Sequence, residues 1–443
     1  MLKVAKFGGT SMADASQLKK VRDIINSDEE RRFIVVSAPG KRFKDDNKIT
    51  DLLYLTYAHI KFSVPYAPIL EKIEDRFNLI KEELNLRTNL EKEFQIIREN
   101  LDNKCNEDYI VSRGEFLSAL LLADYLNCDF IDSKDVIFFN YDGTVNNEKT
   151  KEKISEVLKG SKRAVIPGFY GSYPDGSVKT FSRGGSDITG SIVAAASGAS
   201  VYENWTDVSG FLMADPRIVD NPKQIKKITY QELRELSYMG ASVLHDEAIF
   251  PAREAGIPIN IRNTNEPDNP GTIIIGDDNK YNENGNGYII TGIAGKKNFT
   301  VFYVHKEHMA NEVGIVRRAL EVFENRGLSI EHLPSGIDSF SIILPSEGIE
   351  RITHELVEEI TAKCEAQSVK VLKNLSLITT VGIKMAYKPG ISAKLFTALG
   401  DNNINIRMID QGSSEINIIV GVEDKDFEDS IRAIYNAFVK WVQ

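Results

Sequence analysis

The chain has 443 residues, too many for one compact core, and is expected to form two to four domains. Apolar residues make up 42% and charged residues 27%, which excludes an intrinsically disordered protein. Lys and Arg total 54 against 64 Asp and Glu, and the formal charge of −10 argues against nucleic-acid binding while leaving room for a local basic pocket.

In chain order, Leu2 to Phe7 reads as a strand, Gly8-Gly9-Thr10-Ser11 as a turn, and Ala15 to Asn26 as a helix capped by Ser11 or Asp14. Phe33 to Ala38 is a β-branched run of the kind that forms a buried parallel strand, so the opening is a βαβ unit. From Thr50 to about Leu126 the pattern is helical, with Ile69, Ile73, Phe77, Ile80 and Leu84 at three- and four-residue steps. Within it, Ser112-Arg113-Gly114-Glu115 precedes the apolar run Phe116 to Leu122 and fits a capping box, Ser112 at the N-cap and Glu115 at N3. Strands are expected at 129–131, 136–139, 164–170, 178–181 and 201–205, with helices at 148–158 and 187–197. The mixture describes a three-layer α/β domain over residues 1–276. Residues 277–287, polar and rich in Gly and Asn, read as a linker.

Beyond the linker the chain repeats itself. Asn325 to Leu344 aligns without a gap on Asp401 to Val420, so that Ile330 falls on Ile406, Gly336 on Gly412 and Ile342 on Ile418; Gly314-Ile315 falls on Gly390-Ile391 at the same offset. Each copy reads as strand, helix, strand, hairpin, strand, helix, the order of a ferredoxin-like unit, over 288–376 and 377–443. The strand 289–294 is also open to pairing with the second copy, which would make the first an insertion. A small unit used twice suits a sensor or an assembly module; two ferredoxin-like domains without a ligand are the alternative. No apolar run approaches the roughly 20 residues of a membrane span, and the N-terminus has no signal-peptide pattern, so a cytoplasmic protein without membrane contact is expected. Cys105, Cys128 and Cys364 fit neither a zinc pattern nor a disulfide framework.

Four segments carry candidate chemistry. Lys6-Phe7-Gly8-Gly9-Thr10-Ser11 puts a lysine near a strand's carboxyl end, then two glycines and a helix start, which suits a phosphate cradle as well as a plain tight turn. Ser182-Arg183-Gly184-Gly185-Ser186-Asp187 joins a strand to a helix; Arg183 offers a forked donor for a carboxylate, and Asp187 is placed to cap the helix, to orient Lys6 or to help place a metal, with a purely structural cap as the alternative. Trp205-Thr206-Asp207-Val208-Ser209-Gly210 and Asp215-Pro216-Arg217 offer hydroxyl and carboxylate groups where a nucleoside would lie, or ordinary turn chemistry. Glu115 is suited either to bind an ammonium group or to close its capping box. Gly171 to Thr180 resembles a Walker A loop with its lysine two places late, His354-Glu355 lacks the second histidine of a zincin because residue 358 is Glu, and no G-x-S-x-G elbow occurs.

Taken in this order, KFGGTS, SRGE, SRGGSD, WTDVSG and ADPR, with the doubled tail, resemble the aspartokinases of the amino acid kinase superfamily followed by paired ACT domains, essentially from end to end. The resemblance implies transfer of the ATP γ-phosphoryl group to the side-chain carboxylate of L-aspartate, giving 4-phospho-L-aspartate for lysine, threonine and methionine synthesis. It implies ATP and Mg²⁺, with no metal cage made by the protein alone. Lys6 and the amides of Gly8 and Gly9 would hold the phosphate. Arg183 would hold an aspartate carboxylate and Glu115 its α-ammonium, with Ser37 and Thr50 seating the substrate. Asp187 would organise Lys6 and the metal-bound phosphates. Ser186, Thr206, Asp207, Leu212, Asp215, Arg217 and Ser242 would line the nucleotide site. Ser242 stands where the family often carries lysine, Asp246 where it carries proline, and Leu212 where some relatives carry tyrosine. In the tail the resemblance implies feedback inhibition by lysine, threonine or both, at Met309, Val313, Gly314, Ile315, Val316, Glu331, Ser335, Gly336, Ile337 and Asp338; the alternative is that these residues only pack ACT domains together. It also implies a homodimer or homotetramer joined through the ACT domains. Two competing functions are another amino acid kinase of the superfamily and a catalytically silent amino-acid sensor.

Overall fold

A computed structural model describes residues 1–182, 184–241, 246–276 and 288–440. The expected linker, 277–287, lies outside the described residues. Contacts divide the chain into two units. The first takes Met1–Phe211, Gln224–Tyr230 and Val243–Asn282; the second takes Leu212–Lys223, Gln231–Ser242 and Glu283–Gln443.

The first unit is the three-layer α/β structure expected. Its strands are β1 (Lys3–Phe7), β2 (Arg31–Val36), β3 (Asp129–Phe130), β4 (Ala164–Pro167), the hairpin β5 (Tyr170–Ser172) and β6 (Val178–Thr180), β7 (Val201–Thr206), β8 (Lys227–Thr229), β9 (Ile259–Asn263) and β10 (Thr272–Ile275). Eight of them form one sheet in the order β3-β4-β2-β1-β7-β9-β10-β8, parallel except where β10 meets β9. The helices are α1 (Ala15–Asn26), α2 (Ile49–Lys61), α3 (Ala67–Glu83), α4 (Leu90–Asp102), α5 (Glu107–Leu126), α6 (Asn147–Gly160), α7 (Gly185–Ser197) and α9 (Asp246–Glu254); α8 (Tyr230–Tyr238), between the last two in the chain, belongs from Gln231 on to the second unit. Helix α7 packs on β1, β2 and β7, flanked by α6 and α9, whereas α5 packs on β2, β3 and β4 beside α2. Central β1 and β2 are buried on both faces, which is why Val4-Ala5 and Phe33 to Val36 are apolar at consecutive positions.

Several local expectations are corrected. Asp14, not Ser11, caps α1 by accepting from the Gln17 amide. The capping box at Ser112 does not form: α5 begins at Glu107, capped by Asn106, and its acidic first turn (Glu107, Asp108) is the true start signal. Ser112 to Glu115 therefore lie inside a buried helix. Asp187 does not cap α7 either, because the helix starts earlier, at Gly185 behind Gly184. The strand expected at 136–139 is reduced to isolated bridges from Phe138 and Phe139 after a 3-10 turn, and the run 164–170 splits in two at Gly168 and Phe169, the latter with φ +81°.

The second unit holds a five-stranded antiparallel sheet in the order β12-β11-β13-β15-β14, from β11 (Gly292–His305), β12 (Ser339–Pro345), β13 (Ser368–Val381), β14 (Met408–Asp410) and β15 (Asn417–Glu423). Its helices α10 (Ile315–Glu324), α11 (Thr353–Cys364), α12 (Ile391–Asp401) and α13 (Phe427–Val439) recur with the sequence repeat. Gly314 and Gly390, matched in the alignment, both cap their helices at positive φ, 83° and 89°. The strands β11 and β13 run antiparallel along their whole length. Phe299–His305 pairs with β12, whereas Gly292–Lys296 pairs with Leu377–Val381 of the second copy. The second strand of the first copy is reduced to bridges at His332 and Ser335. Among the described residues no helix is long and apolar enough to cross a membrane.

One fastening in the first unit bears directly on the loop after β2. Arg76 of α3 is buried and donates to the carbonyls of Ala13 and Gly40 and, at 2.8 Å, to Asp46. The hydrogen bond from Arg42, against the cost of burial, together with the Arg76 charge, holds the Asp46 carboxyl well below the usual carboxylate range. Arg76→Met removes one of two cations from a buried carboxylate that Arg42 still holds, together with the donors to the Ala13 and Gly40 carbonyls, which costs about 1–3 kcal/mol. The expected outcome is a clear drop in the first melting transition at pH 7. Stabilisation through Asp46 is full above its ordinary pKa of 3.8 and fades as pH falls below it, so the gap between parent and variant should narrow in acid without closing, since the bonds to Ala13 and Gly40 do not titrate.

Candidate active site

The chain leaves β1 toward β2 on one side of the sheet and leaves β7 toward β9 on the other. The crevice between the carboxyl ends of β1 and β7 is thus a topological switch point, where open α/β sheets bind ligands. Gly8 and Gly9 stand at its mouth. The Gly8 amide donates to the Trp205 carbonyl at 2.9 Å, and the Ser11 hydroxyl meets that of Thr264 at 2.8 Å. A Cβ on Gly8 would sit 3.6 Å from Lys6 Nζ.

Gly9 is crossed by the loop after β2. Gly40 donates to the Gly9 carbonyl at 2.7 Å, and a Cβ on Gly40 would lie 2.6 Å from the Gly9 carbonyl carbon. Only glycine fits such a backbone-to-backbone approach. The same loop carries Ser37, half-buried, whose amide donates to the Phe7 carbonyl, and leads to Thr50 in the first turn of α2. Helix α5 closes on it from behind: a Cβ on Gly114 would meet Ala38 Cβ at 2.7 Å. That contact brings in Glu115, which is 4% exposed and whose Oε2 has no hydrogen-bond partner. Burial pushes the Glu115 carboxyl from its ordinary 4.5 up to about 8, against the Ala38 amide and the charges of Arg113 and Lys6. Arg113 itself is spent on structure, donating to the Tyr109 carbonyl and Ser112 Oγ among the rings of Tyr109, Phe116 and Tyr170.

Lys6 is 6% exposed, and its Nζ lies 2.6 Å from Asp187 Oδ1 at the first turn of α7. The same oxygen accepts from Asn204 Nδ2 at 2.7 Å. Ser186 is buried beside Gly168, where a Cβ would come within 2.6 Å of the Ser186 Cβ. Arg183 lies outside the described residues; its neighbours Ser182 and Gly184 form the turn into α7. Thr206 ends β7, and Asp207 beyond it is exposed. Asn204, Gly40 and Arg76 were not singled out from sequence: an asparagine in a strand and an arginine in a helix carry no motif, and only the register and the fold bring them to the site.

The second unit holds the remaining candidates. Leu212 is partly exposed, and Arg217 pairs with Asp215 at 2.6 Å, lowering its carboxyl. Ser242 lies outside the described residues. Met309 and Ile315 are buried in the core of the first repeat with Val316 packed against it, Gly314 caps α10, and Val313 is 94% exposed. His308 and Ala310 donate to Asp338 Oδ1 and the Ile337 carbonyl, which brings the exposed turn Ser335–Ile337 against the Met309 loop. Glu331 stands apart. Its amide pairs with Ile343, and with Lys296, Lys297 and Asn298 it lines a cavity of about 1050 Å³. Burial, together with the nearby Glu331 carboxylate, raises the Tyr238 hydroxyl to about 12, and Glu331 Oε2 is buried without a partner.

Residues 1–263 match the amino acid kinase family, and residues 378–438 match the ACT domain. Aspartokinase 3 of Bacillus subtilis (strain 168) is 39% identical, over 99% of this chain and 98% of its own length. This chain belongs to the amino acid kinase family, among the aspartokinases. The crystal structure of Clostridium acetobutylicum aspartate kinase matches with a TM-score of 0.92 at 52% identity, over 99% of both chains. E. coli aspartokinase III, solved with aspartate and ADP in its R-state and with lysine and aspartate in its T-state, matches with TM-scores of 0.70 and 0.74 at 26% identity, over 99% of both chains.

In this aspartokinase the first unit brings together a cation held by a carboxylate, a glycine turn in which the Gly8 amide is already bonded, and a buried acid with an unused oxygen. Groups of these kinds are able to receive an anion beside an ammonium group. The acid yields a sign-determined test. Because the folded pKa of Glu115 is raised, the folded chain holds a proton that the unfolded chain releases, and stability falls as pH rises from about 4.5 to about 8. Glu115→Gln removes this dependence. Thermal melts of parent and variant should therefore diverge in the variant's favour across that interval and run parallel above it; parallel curves throughout would refute the raised value.

Proposed function

We propose that this chain phosphorylates the side-chain carboxylate of L-aspartate with ATP, giving 4-phospho-L-aspartate at the head of lysine, threonine and methionine synthesis, and that an end-product amino acid inhibits it through the ACT units. The observation that carries the reading is the Lys6–Asp187 pair at the switch point with the unpartnered Glu115 oxygen. The attacking carboxylate has an unperturbed pKa of about 3.9 and is ionised at neutral pH, so no general base is required. The barrier lies in bringing two anions together, and positioned cations and amides lower it. Lys6 and the Gly9 amide hold the transferring phosphoryl oxygens; the Gly8 amide, expected beside them, is instead given to the Trp205 carbonyl. Arg183 takes a carboxylate of aspartate, and Glu115 takes its α-ammonium in ionised form. Ser37 and Thr50 seat the substrate. Ser186, Thr206, Asp207, Leu212, Asp215, Arg217 and Ser242 line the nucleotide.

Among the described residues no cluster of three or more His, Cys, Asp or Glu forms a metal cage. A single carboxylate fits Mg²⁺ nonetheless, since this ion is usually bound by one or two carboxylates and the substrate's phosphates. Asp187 would hold it, and when bound it would neutralise phosphate charge. For inhibition we assign the edge made by Met309, Val313 to Val316 and Ser335 to Asp338, where the α10 N-terminus and the exposed Val313 and Ile337 suit a small amino acid and a second copy of the chain. Glu331, at the register of Ile343, is left outside that set. Residues 1–276 are read as the catalytic domain and the tail as two ACT domains, the second completed by the strand at Gly292–Lys296. A cytoplasmic homodimer or homotetramer is the assembly this reading implies.

Acyl-hydroxamate formation from ATP and aspartate is the direct assay. Lys6→Met should reduce turnover by at least about 100-fold with the fold intact by circular dichroism. Unchanged turnover would exclude Lys6 from the reaction. Repeating the assay with lysine, threonine and both should reveal inhibition by at least one; indifference to all three would remove the regulatory half of the reading.

A further inference from the structure

The carboxylate of Asp187 is held by more than its ion pair. Lys6 on β1 and Asn204 on β7 are register partners in adjacent parallel strands, and both side chains end on Asp187 Oδ1, at 2.6 and 2.7 Å. Asn204 is 2% exposed, and its neighbours Glu203 and Trp205 take part in a separate buried cluster with Arg31 and Arg262. From the same face of β7 as Asn204, two residues earlier, Tyr202 donates its hydroxyl to the Asp187 main-chain carbonyl at 3.2 Å. Gly190 makes that reach possible, since a Cβ there would lie 2.5 Å from the tyrosine oxygen. The first turn of α7 is thus tied to β7 through both the backbone and the side chain of one residue. Among the described residues no donor reaches Asp187 Oδ2, and the side chain keeps 18% exposure.

The two donors on Oδ1 differ in kind. Lys6 carries a charge that the proposed reaction needs elsewhere, on a phosphoryl oxygen. Asn204 is neutral, and its side-chain donor goes to Asp187. An aspartate held by Lys6 alone would lose its orientation whenever the ammonium turned to the phosphate. We propose that Asn204 is a positioning residue: it keeps Asp187 in place when Lys6 engages the phosphate, so that Oδ2 stays turned toward the nucleotide's phosphates. This deepens the aspartate kinase reading and rests on it.

The test uses the full chain. Asn204→Leu removes the donor at similar size, and Asn204→Ser withdraws it from reach in a smaller side chain; circular dichroism checks that each folds. With either, kcat should fall about 10–100-fold while the KM for aspartate moves less than about twofold. A merely structural role would not pass through Asp187, so the decisive reading is the double-mutant cycle. In an Asp187→Asn background the second substitution should cost nothing further. An unchanged kcat, or the same loss in both backgrounds, overturns the proposal. A parent chain without aspartate-dependent turnover would instead overturn the functional reading. Independently of turnover, a crystal structure of the parent with Mg²⁺, a non-hydrolysable ATP analogue and aspartate should place Asn204 Nδ2 within about 3.2 Å of Asp187 while Lys6 Nζ contacts phosphate. Asn204 released from Asp187 in that complex refutes its role.

Discussion

The interior of a parallel sheet is a poor place for charge, yet this molecule sets Lys6 and Asp187 2.6 Å apart at the end of its central strand. Isolated, either ion would be expelled or neutralised; as an ion pair whose carboxylate also accepts from Asn204 they can be retained. The requirement propagates outward. Lys6 must sit on a strand buried on both faces so that its stem is fixed, Asp187 must lie in the first turn of a helix that packs on that strand, and the strand on the other side must offer a partner of its own. The position of α7 against β1 and β7 follows from satisfying one carboxylate.

A second constraint is spatial. Gly9 and Gly40 bring two loops into backbone contact, Gly114 lets α5 close on the side chain of Ala38 in the second loop, and Arg76 fastens that loop. Here the polypeptide itself is packed so closely that a side chain on any of the three glycines would push the segments apart. Glu115 is an outcome of this packing. A helix able to approach Ala38 closely carries its acid into the same enclosure, where its pKa rises because water is excluded.

Much of this was legible in the sequence. The opening βαβ unit, the glycine turn after Lys6 and the repeat in the tail announce themselves through β-branched runs, turn residues and a fixed offset, all of them local signals. What escaped depends on distant partners. Ser112 and Glu115 satisfy the capping-box pattern, but the chain already has a better start at Asn106 with two acids behind it, and an almost fully buried helix gives no periodicity to mark its beginning. Asp187 looks like a cap until β1 supplies a lysine. Asn204 is invisible until β1 and β7 are placed in register, and the split of the run 164–170 turns on a single positive φ at Phe169.

The tail shows a different economy. Each of the strands β11 and β13 serves both copies of the repeat, one half apiece, pairing Gly292–Lys296 with Leu377–Val381 and Val301–His305 with Ser368–Leu372. Scission between the copies would leave each fragment with an unsatisfied strand edge of the kind that promotes aggregation. Although the repeat is visible as two segments in the sequence, it cannot be dissected, shuffled or grafted one segment at a time: genetically it is two modules, mechanically it is one.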